Sequence, residues 1–253
     1  MELDGKKAII VGGASGMAKA SAELLVRRGG SVAILDRPKS AGADVAKALG
    51  GTFHPCDVTD HAATEAAIDA AVESLGGSVH ISVNTAGGGI AKRTLAKDGP
   101  HPLEDFQFVI QLNLVSSFNV ARLAANHMSR NEPEDDERGV IISTASIAAF
   151  EGQIGQVAYS AAKAGIAGMM LTMARDLGSL GIRAMAIAPS LFATGLTESI
   201  PDDFAKALTR DAAFPKRMGR PEEYARLVAA IVENPMLNGS CIRLDAGQHF
   251  APK

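Results

Sequence analysis

Ala8-Ile9-Ile10-Val11-Gly12-Gly13-Ala14-Ser15-Gly16-Met17-Ala18 is a short apolar run, a glycine turn and the start of a helical pattern. That order forms a phosphate-binding unit: glycines let backbone N–H groups approach a pyrophosphate, and the helix N-terminus adds a favourable dipole. Gly12, Gly13 and Gly16 are the glycines of that turn. A second apolar strand, SVAILD, ends in Asp36, twenty residues after Gly16. A carboxylate there accepts from the hydroxyls of an adenosine ribose and repels a 2′-phosphate, so NAD rather than NADP is the expected cofactor. A glycine turn alone also fits a tight structural loop, and the rest of the chain has to decide.

Outward from this unit, further markers fall in the order that a doubly wound α/β sheet would place them. Asp57-Val58 closes a third strand, HISVNTAGG holds a fourth ending in Asn84-Thr85-Ala86-Gly87, Asn113 lies in the helix FQFVIQLNLVSSFNVARLAA, and RAMAIAP ends in Ala188-Pro189. Tyr159 and Lys163 stand four residues apart in AYSAAKAG, with Ser146 thirteen residues before the tyrosine in IISTAS. Positions i and i+4 share a helix face, so the ammonium would lie roughly 6 Å from the phenol and lower its pKa from about 10 toward working pH. A phenol tuned in this way is a general base, and Ser146, arriving from a strand end, could donate to the same alcohol or carbonyl oxygen. Taken alone, YxxxK is also an ordinary surface pair; the upstream dinucleotide unit gives it chemical meaning.

With these residues in place, the chain resembles the short-chain dehydrogenase/reductase family from Lys7 to about Gly247. The family's TGxxxGxG turn appears as Val11, Gly12, Gly16 and Ala18, departing at its first and last positions, and its NNAG motif as Asn84, Thr85, Ala86 and Gly87. Its catalytic set falls on Asn113, Ser146, Tyr159 and Lys163, and the Pro-Gly after the sixth strand is Pro189-Ser190. The resemblance implies one NAD-binding domain over residues 1–253, a single-domain Rossmann fold with a doubly wound seven-stranded parallel sheet and helices on both faces. The segments GVIISTASIAAFEGQIGQVAYSAAKAGIAGM, RDLGSLGIRAMAIAPSLFATGL, AAFPKRMGRPEEYARLV and NPMLNGSCIRLDAG resemble the type 2 3-hydroxyacyl-CoA dehydrogenase branch, as does the longer loop from Ala91 to Leu103. This implies NAD contacts from Ser15, Met17, Asp36, Asp57, Val58, Thr85, Tyr159, Lys163, Phe192 and Thr194, completed by the motif residues Gly12, Gly16, Asn84, Ala86, Gly87 and Pro189. It also implies a homotetramer packed through the helices bearing Asn113 and Tyr159, and a water held by Asn113 that links Lys163 to solvent.

The expected reaction is NAD-dependent oxidation of a secondary alcohol, 3-hydroxyacyl-CoA to 3-oxoacyl-CoA. Ser146 would hold the substrate oxygen, Tyr159 would take its proton, and Lys163 would hold the nicotinamide ribose. Gln156 could reach the substrate's second oxygen, and Ile147, Phe150, Leu191, Phe192 and Leu196 are candidates for an apolar acyl pocket. A 3-oxoacyl-carrier-protein reductase and a hydroxysteroid dehydrogenase remain open, since the same catalytic residues serve many substrates. From a different class, so does a scaffold or RNA-processing partner with incidental dehydrogenase activity.

Composition bounds these readings. At 253 residues and 47% apolar content, one domain can bury roughly three quarters of its unfolded surface, enough for a sheet covered on both faces. A formal charge of −3 gives no pull toward nucleic acid or an anionic membrane. MELDGKKAIIVGG runs directly into the first strand, so no signal peptide is expected; no apolar stretch reads as a membrane span, and a cytoplasmic protein follows. Cys56 and Cys241 read as buried small hydrophobes, and the scattered histidines His54, His61, His80, His101, His127 and His249 imply no metal site. Met169, Met170 and Met173 read as packing residues, and Glu132 to Arg138 (EPEDDER) as a solvated loop. Arg210, Lys216, Arg217 and Arg220 could meet CoA phosphates or be ion-paired surface, because Asp211, Glu222 and Glu223 interleave with them.

Overall fold

A computed structural model describes residues 1–194 and 208–251. Seven strands, β1 (Lys7–Val11), β2 (Ser31–Asp36), β3 (Thr52–Pro55), β4 (Ile81–Asn84), β5 (Gly139–Thr144), β6 (Ile182–Pro189) and β7 (Cys241–Leu244), form one parallel sheet. Their order is β3-β2-β1-β4-β5-β6-β7. Among the described residues the α-helices are α1 (Gly16–Arg27), α2 (Gly42–Ala48), α3 (His61–Ser74), α4 (Leu103–Ile110), α5 (Ser116–Met128), α6 (Val157–Leu177) and α7 (Pro221–Glu233).

Strands buried on both faces read as continuous apolar runs. In β1, Ile9 and Val11 join Ile68, Val72, Val120 and Ile166 on the α3, α5 and α6 side, while Ala8 and Ile10 join Leu25, Tyr224 and Val228 on the α1 and α7 side. The strand period of two thus feeds two separate cores. In α7, Tyr224, Ala225, Val228, Ala229, Ile231 and Val232 make one buried stripe; Pro221 opens the helix, and Glu223 accepts from the Arg220 N–H at 2.7 Å. The strand order reverses between β1 and β4, so the loops leaving their carboxyl ends diverge and open a crevice, the place where such sheets bind ligands.

Several expectations change in the fold. The third strand stops at Pro55, leaving Asp57 and Val58 on the loop beyond it. Asn113 sits in a π-helical turn, Gln111–Val115, between α4 and α5, rather than in regular helix. The continuous helical run Leu103–Met128 is long and apolar enough to cross a membrane, contrary to the sequence reading, but 56% of its apolar window is buried in the protein, as in a core helix. The segment 132–138 is not solvated throughout: Glu137 is partly buried and accepts from Arg183 Nε at 2.7 Å, because Arg183 enters from the start of β6 beneath the end of α7. Met170 and Met173 are buried and Met169 packs beside them, as packing residues do. Among the described residues, no group of three or more His, Cys, Asp or Glu could hold a metal ion.

Candidate active site

The crevice at the switch point has a volume of about 360 Å³. Its floor is the glycine turn: Gly12 (φ +79°) and Gly16 (φ +55°) take left-handed conformations that favour glycine. A Cβ on Gly12 would stand 2.8 Å from Thr85 Oγ1, and one on Gly16 would stand 2.9 Å from Thr194 Cγ2. Ser15 makes no side-chain bond to the start of α1, so the helix N-terminus is not closed by its own cap. Asp36 Oδ2 accepts from the Ala14 N–H at 3.0 Å and Oδ1 from the Arg37 N–H at 2.7 Å, which ties the end of β2 to the turn. Asp57 accepts from the Thr59 N–H and Oγ1 at 2.9 and 2.7 Å; those bonds, aided by the nearby Arg37 charge, hold its carboxyl below the usual range. Glycines that admit no side chain, an open helix N-terminus and a carboxylate at the next strand end fit a dinucleotide.

Of the residues expected to hold that group, Gly12, Ser15, Gly16, Met17, Asp36, Asp57, Val58, Thr85, Ala86, Gly87 and Thr194 line the crevice. Asn84 lies beneath it: Oδ1 accepts from the Ala86 N–H at 3.0 Å, and Nδ2 donates to Ser117 Oγ at 3.3 Å. Pro189 ends β6, and Phe192 is buried in the apolar layer against α7 with Gly219 over its ring, so neither reaches the crevice. Sequence reading missed Val11, Leu35, Arg37, Cys56 and Leu112, which do line it. Arg37 and Cys56, beside Asp36 and Asp57 at strand ends, were accessible to that logic; Leu112 was not, because the π-helical turn sets its direction.

Tyr159 and Lys163 face the same way from the first turns of α6, with Lys163 Nζ 5.5 Å from the centre of the Tyr159 ring. Lys163 is 4% exposed and donates to the Thr144 carbonyl at 2.8 Å; burial pulls its pKa down to about 8. Burial also pushes the Tyr159 phenol above its ordinary 10.0, with hydrogen bonding to Ser146 pulling part of the way back. The expected lowering by Lys163 is therefore not what sets the phenol: burial raises it, Ser146 is what lowers it, and the ammonium turns to Thr144. Ser146 Oγ accepts from the Ala148 N–H at 3.2 Å, which leaves its own proton to donate.

Asn113 donates to the Gly88 and Val109 carbonyls at 2.7 and 2.8 Å and accepts from the Gly88 N–H at 3.2 Å, pinning the β4 loop. A Cβ on Gly87 would stand 2.5 Å from Asn113 Oδ1 and 3.3 Å from Lys163 Nζ. The crevice that Gly87 lines thus abuts Lys163 and Asn113.

At the first turn of α6, a cavity of about 530 Å³ is lined by Lys92 to Leu95 from the long loop, by Gly152 to Gly155, and by Val157 and Ser160. The proposed acyl wall does not match it. Ile147 is fully buried, Phe150 is 54% exposed beneath Arg243, and Phe192 lines a separate cavity with Gly219. Leu191 is half-buried, its carbonyl taken by the Gly219 N–H, and Leu196 lies outside the described residues. Gln156 Oε1 accepts from the Gln153 N–H at 3.0 Å, and its Nε2 is left to donate to a substrate. In the basic cluster, Arg217 pairs with Glu223 at 2.7 Å and Arg210 with Asp211 at 3.2 Å, as ion-paired surface would.

An open dinucleotide crevice beside a Ser-Tyr-Lys group defines a class. The family described as short chain dehydrogenase matches residues 6–205, and the chain belongs to it; it is an oxidoreductase. Its relatives sharpen that class. The chain is 51% identical to 3-hydroxyacyl-CoA dehydrogenase type-2 of Bos taurus, with 98% of this chain and 97% of the relative covered. A solved 3-hydroxyacyl-CoA dehydrogenase type-2 from Mycobacterium avium superposes with a TM-score of 0.94 at 40% identity, over 98% of each chain. A 7α-hydroxysteroid dehydrogenase solved with NADH and 7-oxo glycochenodeoxycholic acid gives a TM-score of 0.88 at 29% identity, over 100% of this chain and 97% of that one.

Proposed function

We propose that the protein oxidises 3-hydroxyacyl-CoA thioesters to 3-oxoacyl-CoA with NAD. The observation that carries this reading is the Ser146, Tyr159 and Lys163 group, which meets at Gly87 a crevice that carries the Asp36 carboxylate. Half-identity over nearly the whole chain to proteins named for that reaction supports the substrate class. NAD, when bound, supplies the hydride acceptor, and Gly12, Ser15, Gly16, Asp36 and Thr85 would hold it. The Ser146 hydroxyl donates to the substrate oxygen and fixes it beside Tyr159. Tyr159 takes the alcohol proton as the carbonyl forms, so charge does not build up on that oxygen. Lys163 would hold the ribose nearest the reaction, and its positive charge would stabilise the phenolate. Asn113 Oδ1 and Lys163 Nζ both face Gly87, and a water between them would carry the proton outward.

The raised pKa of Tyr159 favours a second reading of direction. A phenol protonated at neutral pH is also competent as a general acid, so the same site can reduce a 3-oxoacyl group. A cytoplasmic setting is supported by Cys56 and Cys241 being free thiols, and a homotetramer by the exposed Phe108, Phe118 and Leu171 on α4, α5 and α6. A panel of straight and branched 3-hydroxyacyl-CoA esters, with a hydroxysteroid and an acyl-carrier-protein thioester as controls, tests the reading with NAD and with NADP. The expected result is the highest kcat/KM on a CoA ester with NAD; a preference for either control would overturn it.

A further inference from the structure

Tyr224 lies on α7, 80 residues from Thr144 in sequence, and is fully buried in the apolar layer on the α1 side of the sheet. Phenylalanine would serve that packing equally well, and burying a hydroxyl is unfavourable unless it finds a partner. The partner is Thr144 Oγ1, at 2.7 Å. Thr144 Oγ1 also lies 2.6 Å from the Asn84 carbonyl, which can only accept, so the threonine proton goes there and the Tyr224 phenol must be the donor to Thr144. The carbonyl of this same Thr144 receives Lys163 Nζ, and Asn84 holds the loop that carries Thr85 to Gly87. One hydroxyl chain therefore clamps the lysine's acceptor and the crevice floor together.

We infer that Tyr224 is a positioning residue for proton transfer: its donation to Thr144 Oγ1 holds the Thr144 carbonyl where Lys163 Nζ binds it. This rests on the reading of Tyr159 and Lys163 as the proton-transfer pair. The groups around the ammonium are few. Tyr159 is the titratable neighbour on α6, Thr144 O faces it from β5, and Asn113 Oδ1 lies across Gly87 from it. Among the described residues no charged group pairs with Lys163, so the carbonyl is its main polar support. Loosening that carbonyl removes a bond to the charged form, and the lysine then releases its proton at lower pH.

The test compares pH profiles of kcat for the full chain carrying Tyr224→Phe, Thr144→Val, both together, or Thr144→Ser, with thermal unfolding measured alongside. Tyr224→Phe should lower kcat about 3- to 10-fold and move the alkaline limb about half a unit toward neutral, leaving KM for NAD within about twofold. Thr144→Val should move the same limb, the double variant should be no worse than Thr144→Val alone, and Thr144→Ser, which keeps the hydroxyl, should restore it. Tyr224→Phe keeps the ring and its packing, so it decides alone if Thr144→Val fails to fold. A lowered melting temperature with an unmoved limb, or additive losses in the double variant, would overturn the inference. Tyr159→Phe, run in parallel, separates the two ideas: if it keeps full turnover, the proton-transfer reading falls and takes the inference with it. If it is inactive while the Tyr224→Phe limb stays in place, only the inference falls.

Discussion

Lys163 and Arg183 are buried cations of nearly equal exposure, 4% and 5%, at different places in the sheet, and their surroundings contrast. Arg183, near the start of β6, donates to Glu137 at 2.7 Å and to the carbonyls of Ile231, Val232, Asn234 and Leu237, which are orphaned acceptors at and beyond the end of α7. Lys163, beside the crevice, has a single carbonyl at 2.8 Å and an aromatic ring. A cation that fastens a helix end to a strand is saturated with acceptors. Lys163 keeps donors in reserve, as the role proposed for it requires, and desolvation draws its pKa down to about 8.

Four variants probe that contrast. Tyr159→Phe should lower kcat by about 10²- to 10⁴-fold while NAD still binds, as removal of a general base does; calorimetric NAD titration beside steady-state rates checks it, and near-normal turnover would remove the assignment. Glu137→Ala strands the Arg183 charge and should cost about 3–5 kcal/mol in urea unfolding, with the folded fraction retaining its activity.

Lys163→Met should do the reverse, losing turnover without losing stability. Its pH dependence gives the sharper reading. Lys163 holds its proton only to about pH 8 in the fold, against 10.5 ordinarily, so between those values the unfolded chain binds more protons than the native one. Stability contributed by this site therefore rises with pH across that window, and the methionine variant should lack the rise in melting curves. Smallest is Asp36→Ala, which should shift cofactor preference toward NADP by about tenfold, the effect of one lost ribose bond and one lost repulsion. An unchanged ratio would move that role elsewhere, with Arg37 the first candidate because it lines the same crevice.

Local order made much of this legible in advance. The glycine turn, Asp36, the Asn84 to Gly87 loop and the Tyr159/Lys163 spacing depend on neighbours within a turn or a strand end, and they lie where their order implied. Residues whose role depends on which way a side chain turns fared worse. Phe192 and Ile147 read as pocket walls but turn into the core. Glu137 sits in a run of charges that reads as solvent-facing, and its burial is created by Arg183 from a strand 46 residues on. The apolar run from Leu103 to Met128 has the length of a membrane span; its packing makes it a core element.

The amino-acid order by itself determined the parallel layered architecture and that Tyr159 and Lys163 share one helix face, because strand and helix periods and i to i+4 spacing are properties of short stretches. Tertiary packing decided how far burial shifts Tyr159 and Lys163, which residues wall the cavities, and that Tyr224 reaches Thr144 across the core. Those outcomes depend on solvent exclusion and on contacts between segments far apart in the chain, which exist only once the two cores have closed.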